Sequence, residues 1–134
     1  MTPEILIVED NPTNLKLASV VLASAGYKVR GAVDAVEAEK AIRAGVPDLI
    51  LMDLGLPGKD GYELTRELRG RAETGHVPIL AVTSFAMKGD KVKAIEAGCS
   101  GYLTKPINRQ ALLHAVEALL DEVKALLRPT GEGG

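Results

Sequence analysis

The sequence predicts an α/β fold, a doubly wound, five-stranded parallel sheet with helices on both faces. Three observations predict it. Short apolar runs alternate with amphipathic stretches along the 134 residues, a pattern that right-handed crossovers turn into a parallel sheet covered on both sides. Two of the runs, Ile5-Leu6-Ile7-Val8 and Leu49-Ile50-Leu51-Met52, are apolar throughout, as strands buried on both faces are. Both runs end in acid, with Glu9 and Asp10 after the first and Asp53 after the second. Ligands bind open sheets of this kind at the carboxyl ends of the strands. Those acids can meet only if the first and third strands are neighbours, which selects the strand order 2-1-3-4-5.

The elements follow from local signals. Asn11 caps the first helix and Pro12 opens it, where the missing N–H has no intrahelical use. Leu15, Ala18, Leu22 and Ala25 fall on its inner face, and Gly26 ends it. A short strand covers Lys28–Ala32. Asp34 and Glu37 have capping-box spacing and open a second helix that stops at Gly45. After Asp53 the chain is broken into a turn by Gly55, Pro57 and Gly58, and a third helix over Gly61–Arg69 turns Leu64 and Leu68 inward. A polar loop then leads to Val77 and Pro78 and to a fourth strand over residues 79–82, ending at Thr83 and Ser84.

The fourth helix has Gly89 near its start and few large apolar residues beyond Val92 and Ile95, so it is expected to be loosely held. A fifth strand over residues 101–103 leads to Thr104, Lys105 and Pro106, and Asn108 caps a long last helix. In that helix Leu112, Val116, Leu119, Leu120, Val123, Leu126 and Leu127 form one broad stripe. A helix of about twenty residues reaches ~30 Å, whereas a typical strand covers ~17–20 Å. The last turn is therefore expected to overhang the sheet, leaving Leu126 and Leu127 to meet a partner, a second copy of the chain or a linker. The expected organisation is one domain over residues 1–124, with residues 125–134 forming the helix end and a flexible Gly-rich tail.

Composition narrows the function. The core is aliphatic, because one Phe, three Tyr and no Trp leave little aromatic material. A formal charge of −2 provides no general attraction to nucleic acid or to an anionic membrane. Cys99 is alone, which excludes an intramolecular disulfide and suits a reducing compartment. No apolar stretch approaches the ~20 residues a membrane span needs, and the start, Met1-Thr2-Pro3-Glu4, lacks a basic leader. The expected location is the cytoplasm, and the expected assembly is a monomer or weak dimer.

Sorting polar residues by strand end places Glu9, Asp10, Asp53, Thr83 and Lys105 on one rim. Converging carboxylates repel each other unless a cation joins them. Hard oxygen ligands with few protein carboxylates suit Mg²⁺ (or Mn²⁺), which keeps several waters and shares its remaining positions with a phosphate. Lys105 supplies a compact charge for phosphate oxygens, and the Thr83 hydroxyl can donate to the same group. Asp53 fits the nucleophile, since a carboxylate can attack phosphorus to form an acyl phosphate. Each residue alone has a structural explanation as a cap, a turn or a solvated side chain. The conjunction at four strand ends is what points to chemistry. His76 and His114 lack a comparable setting and read as surface residues, Cys99 reads as a small packed residue, and Lys88, Lys91 and Lys93 read as a solvated helix face.

These residues carry a family resemblance. Glu9-Asp10-Asn11, the stretch Met52-Asp53-Leu54 through Leu56-Pro57-Gly58 to Asp60-Gly61, Val82-Thr83-Ser84 and Lys105-Pro106 together resemble the receiver domain of two-component response regulators, with its flavodoxin-like fold. The resemblance implies that Asp53 accepts a phosphoryl group from a histidine kinase or phosphotransfer protein. It implies Mg²⁺ held by Asp10, Asp53 and the backbone carbonyl of Gly55, with Glu9 reaching it through water. It also implies phosphoryl contacts from Thr83 and Lys105, and a cis Lys105-Pro106 peptide that aims the lysine. Tyr102 matches the family's switch aromatic, whose inward turn reshapes the face of the fourth helix, fifth strand and fifth helix for a downstream effector.

Two positions depart from the commoner pattern. Gly55 stands two residues past Asp53 in place of a larger side chain, and Phe85 stands two past Thr83. In the family both border the path of attacking water, so Gly55 is expected to open that approach and Phe85 to shield it in part. The chain is expected to be a phosphoacceptor regulator whose only catalysis is its own phosphotransfer and autodephosphorylation. Residues 85–90 are similar to single-domain regulators of the DivK type and equally to receivers attached to hybrid sensor kinases. An aspartate-nucleophile phosphatase needs a general acid two residues past the nucleophile, where this chain has Gly55. A flavin carrier needs a phosphate cradle after the first strand, where Glu9 and Asp10 repel phosphate.

Overall fold

The structure, a computed structural model, describes residues 2–84 and 89–126. The described elements are β1 (Glu4–Val8), α1 (Pro12–Ser24), β2 (Lys28–Ala32), α2 (Ala35–Ala44), β3 (Leu49–Asp53), α3 (Gly61–Arg69), β4 (Ile79–Thr83), α4 (Asp90–Ala97), β5 (Gly101–Thr104) and α5 (Arg109–Leu126). The strands form one sheet in the order β2-β1-β3-β4-β5, and every pairing is parallel. The fold class and strand order read from the sequence are those observed.

Register decides where the chemistry falls. Val8 lies beside Met52, Asp53 beside Val82, and Thr83 beside Thr104. The residues that leave β1, β3, β4 and β5 therefore emerge on one edge. Alternate strand residues enter two separate cores, as the pleat requires. Leu6, Val8, Ile50 and Met52 pack under Ile42, Leu64 and Leu68, on the side of α2, α3 and α4. Ile5, Ile7, Leu49 and Leu51 pack under Leu22, Leu112 and Val116, on the side of α1 and α5.

Side-chain caps fix the starts of α1, α2, α3 and α5, each supplying an acceptor to an N–H with no intrahelical partner, whereas α4 starts at Gly89 without one. The Asn11 Oδ1 accepts from the N–H groups of Thr13 and Asn14 at 3.0 and 3.1 Å. Asp34 accepts from Glu37 N at 2.8 Å, and Asn108 from Ala111 N at 3.0 Å. The second half of the expected capping box differs in detail, because the Glu37 carboxylate accepts from Val33 N and not from Asp34 N. Asp60 caps α3 in the same manner, through Glu63 N at 2.9 Å, a signal the sequence reading passed over.

The inner face of α1 differs from expectation at one position. Ala18 and Leu22 are buried and Leu15 packs against the same core, but Ala25 is exposed and Val21 takes the remaining inward place. The helix ends at Ser24, so Ala25 lies past its last turn, where the chain reverses through Gly26. In α4 only Ala94 and Ala97 are buried, while Val92 and Ile95 are 59% and 55% exposed. The expected weak hold on α4 thus has a cause: its largest apolar side chains face solvent. In α5, Leu112, Val116, Leu119 and Leu120 are buried, Val123 is half-buried and Leu126 is 85% exposed. The overhang expected of the last turn is present at Leu126; Leu127 and the Gly-rich tail lie outside the described residues.

Candidate functional site

The rim at the carboxyl ends of the strands encloses a cavity of about 210 Å³, lined by Asp10, Asn14, Asp53, Gly55, Thr83 and Lys105 among others. Each strand end is tied to its neighbour. Glu9 N donates to Ala32 O at 2.9 Å, Leu54 N to Val82 O at 3.0 Å, and Lys105 N to Thr83 O at 2.8 Å. The Lys105–Pro106 peptide is cis. Beneath Asp53 the chain folds back on itself, with Gly61 N donating to Leu54 O at 3.3 Å. A Cβ at Gly61 would collide with the Asp53 carbonyl and the Leu54 Cα. Only glycine admits so close a return.

Carboxylate oxygens of Glu9, Asp10 and Asp53 lie within 4.8 Å of one another. Glu9, Asp53 and Thr83 are buried and Asp10 is exposed, so the cluster opens to solvent on one side. Lys105 Nζ is 2.6 Å from Glu9 Oε1 and 3.4 Å from Asp53 Oδ2. The other Glu9 oxygen accepts from Asn11 N at 3.1 Å, and Asp53 Oδ1 accepts from Gly55 N at 2.9 Å. Glu9 and Asp53 each have both oxygens engaged, and only the lysine contact is longer at Asp53 than at Glu9.

Burial pushes the Asp53 carboxyl above the usual range, opposed by the Gly55 N–H and by Lys105 and reinforced by nearby Glu9. For Lys105, burial works against the charge, yet Glu9 and Asp53 hold its ammonium above the ordinary lysine value. The lysine is a fixed cation and the aspartate a destabilised anion. An all-oxygen donor set with one exposed and two buried carboxylates fits a small divalent cation that retains water.

Five of the residues predicted for the site, Glu9, Asp10, Asp53, Thr83 and Lys105, come together, and Gly55 borders the same cavity. A Cβ added at Gly55 would meet only Asp53 Oδ1, at 3.6 Å, so the glycine leaves open space beside the carboxylate. Phe85 and Lys88 lie outside the described residues. Tyr102 is half-buried and packs against the core on the α3 and α4 side. His76 and His114 are exposed. Cys99 is buried, its Sγ 3.9 Å from Thr65 Oγ1. The sequence reading passed over two features. Asn14 lines the cavity from the first turn of α1, where a polar residue three positions past the Asn11 cap was the available signal. Tyr62 meets Asp90 across α3 and α4, a contact between distant segments that no local pattern announces.

The family model for the response regulator receiver domain matches residues 5–117. The polar-differentiation response regulator DivK of Brucella ovis is 38% identical over 122 residues, covering 91% of this chain and 99% of its own length. Solved structures agree with the fold. A CheY-like receiver domain protein from Methanospirillum hungatei superposes with a TM-score of 0.86 at 30% identity, covering 93% of this chain and 98% of its own. The receiver domain of a Pseudomonas aeruginosa sensor histidine kinase, with a magnesium ion coordinated in its active-site cleft, has a TM-score of 0.82 at 38% identity, covering 90% of this chain and 99% of its own. The chain belongs to the response regulator receiver family, whose members act in phosphorylation-controlled two-component signalling. Among the described residues no helix is long and apolar enough to cross a membrane.

Proposed function

We propose that the chain is a phosphorylation-controlled switch that accepts a phosphoryl group on Asp53 from a phosphohistidine donor, a histidine kinase or a phosphotransfer protein. The observation that carries this reading is the Asp53 carboxylate in an open cavity, between an acidic cluster on one side and Lys105 on the other. An Asp53 oxygen attacks phosphorus in line, the phosphorus–nitrogen bond of the donor breaks, and the departing imidazole takes up a proton. Asp10, Asp53 and the Gly55 carbonyl would hold Mg²⁺ or Mn²⁺, with Glu9 behind a water. That ion supplies charge neutralisation for the phosphoryl oxygens.

The chain's own groups do the rest. Lys105 exchanges its 3.4 Å contact with Asp53 for a phosphoryl oxygen while Glu9 keeps its hold on the ammonium. Thr83, at the end of β4, donates its hydroxyl to the same phosphoryl group. Its movement lets Tyr102 turn inward and changes the face of α4, β5 and α5, where the exposed Val92 and Ile95 await an effector protein. Gly55 and Phe85 set the lifetime of the acyl phosphate through the access they give to water. We place the working domain at residues 1–124 and the protein in the cytoplasm.

A receiver excised from a hybrid sensor kinase is the second reading. One observation keeps it open, that the Pseudomonas aeruginosa kinase receiver is as similar in sequence, at 38%, as DivK is. The deciding test of the main reading is incubation with phosphoramidate or acetyl phosphate and Mg²⁺, read by intact mass and peptide mapping. A single phosphoryl adduct on Asp53, absent with chelator and absent in Asp53→Asn, is expected. Equal labelling of Asp53→Asn would remove the proposal.

A further inference from the structure

The polar contacts that hold α4 are concentrated at its two ends. At its carboxyl end, Arg69 of α3 donates from Nε to Gly98 O at 2.7 Å, and also from Nη1 to Val77 O at 2.6 Å. That end is anchored to a half-buried guanidinium with several further carbonyl and hydroxyl partners. At its amino end, the Tyr62 hydroxyl of α3 donates to Asp90 Oδ1 at 3.2 Å. One turn on, Lys93 Nζ stands 5.0 Å from the centroid of the same ring, within the range of a cation–π contact. The first turn of α4 therefore grips Tyr62 by its hydroxyl and by its face. Along its whole length the helix buries only two alanines, Ala94 and Ala97.

The geometry points to Tyr62 as a further switch residue: its hydrogen bond to Asp90 latches the amino end of α4 in the resting position, and phosphorylation of Asp53 must release it. This rests on the switch reading above and adds to it the element that moves and the group that restrains it. Tyr62 and Tyr102 pack against the same core, and their phenols are near enough to influence one another, so an inward turn of Tyr102 bears on the ring that holds Asp90. Both phenols are raised by burial and by the charge of Asp90, Tyr62 to about 12, so Tyr62 remains a hydrogen-bond donor at every physiological pH. Arg69 fixes the opposite end, which makes α4 a lever with one hinge and one catch. A single hydrogen bond is of the right size for a catch, because it shifts a two-state equilibrium severalfold without locking it.

The test uses the full chain as wild type, Tyr62→Phe, Asp90→Asn and the double variant. Two readouts are taken: hydrogen exchange of the α4 amides without phosphodonor, and the initial rate of Asp53 labelling by phosphoramidate with Mg²⁺. Tyr62→Phe keeps the ring and loses only the hydroxyl. We expect it to raise α4 exchange and labelling rate together by about threefold to tenfold, the range one lost hydrogen bond allows, with exchange in α5 unchanged. The double variant should match the more affected single variant, since the two groups act as one contact. Wild-type exchange and wild-type labelling in Tyr62→Phe would overturn the latch while leaving phosphorylation intact. A wild-type chain that takes no label would overturn the switch reading itself, and unaltered α4 exchange in the variant would count against the latch even then.

Discussion

Lys105 bonds more closely to Glu9, at 2.6 Å, than to Asp53, at 3.4 Å. Glu9 is thus the residue that parks the lysine beside the nucleophile, and both partners are largely removed from water. Replacing Lys105 by Ala leaves two neighbouring buried carboxylates without their cation, the situation in which breaking a buried pair is most destabilising. We expect a loss of about 3 kcal/mol at neutral pH, which for a domain of this size lowers Tm by roughly 10 °C. Calorimetry of Lys105→Ala checks this, and an unchanged Tm would mean that the pair contributes nothing.

The acidic cluster provides a second expectation. An ion that binds only the folded chain stabilises it by mass action, by about 2.7 kcal/mol at a hundred times its Kd. Titrating Mg²⁺ or Mn²⁺ into chelator-treated protein should raise Tm in a concentration-dependent manner. Asp10→Asn, which removes the one exposed carboxylate of the three, should abolish most of the rise. A full Mg²⁺ response in Asp10→Asn would show that the ion sits elsewhere.

The raised Asp53 carboxyl makes a statement about stability against pH. Its folded pKa lies above its unfolded one, so the folded state holds the proton more tightly. The stability from this group is complete below the unfolded value, ~3.9, and is lost as pH rises through the folded value. At neutral pH the bare carboxylate therefore works against the fold. Asp53→Asn without metal should raise Tm at pH 7, because it removes a carboxylate that the fold holds at a cost. The gain should shrink as pH falls and vanish below the unfolded value, ~3.9, where the carboxyl is protonated in both states. Melting curves across this range that show a constant difference would contradict the assignment.

The sheet order and the rim were legible because they rest on local signals: apolar runs without alternation at residues 5–8 and 49–52, and acids at fixed positions after them. The caps at Asn11, Asp34 and Asn108 were legible for the same reason, since one side chain and the next turn carry the whole contact. Ala25 misled because helical periodicity alone does not say where a helix stops. Three residues past Leu22 is an inward position only if the helix continues, and here it ends at Ser24. Tyr62 with Asp90, and the preference of Lys105 for Glu9, were beyond reach because each joins segments separated by many residues, at distances that only the packed fold sets.

Gly55 provides a prediction about time. The position two residues past the phosphoacceptor has no side chain here, and a Cβ added there would meet nothing nearer than Asp53 Oδ1 at 3.6 Å. The backbone is thus able to carry a larger residue without strain, and its N–H would still donate to Asp53. A long side chain such as Met would project over the carboxylate and obstruct the line along which water must approach phosphorus, a displacement that tolerates little misalignment. Gly55→Met is expected to slow loss of the phosphoryl group severalfold, with the Tm of the unphosphorylated protein within about 1 °C of wild type, as for a surface substitution. The measurement is decay of the phosphorylated mass after donor is removed, in the presence of Mg²⁺. Decay at the wild-type rate would show that Gly55 does not border the path of the water, and faster decay would show that the added side chain assists the attack.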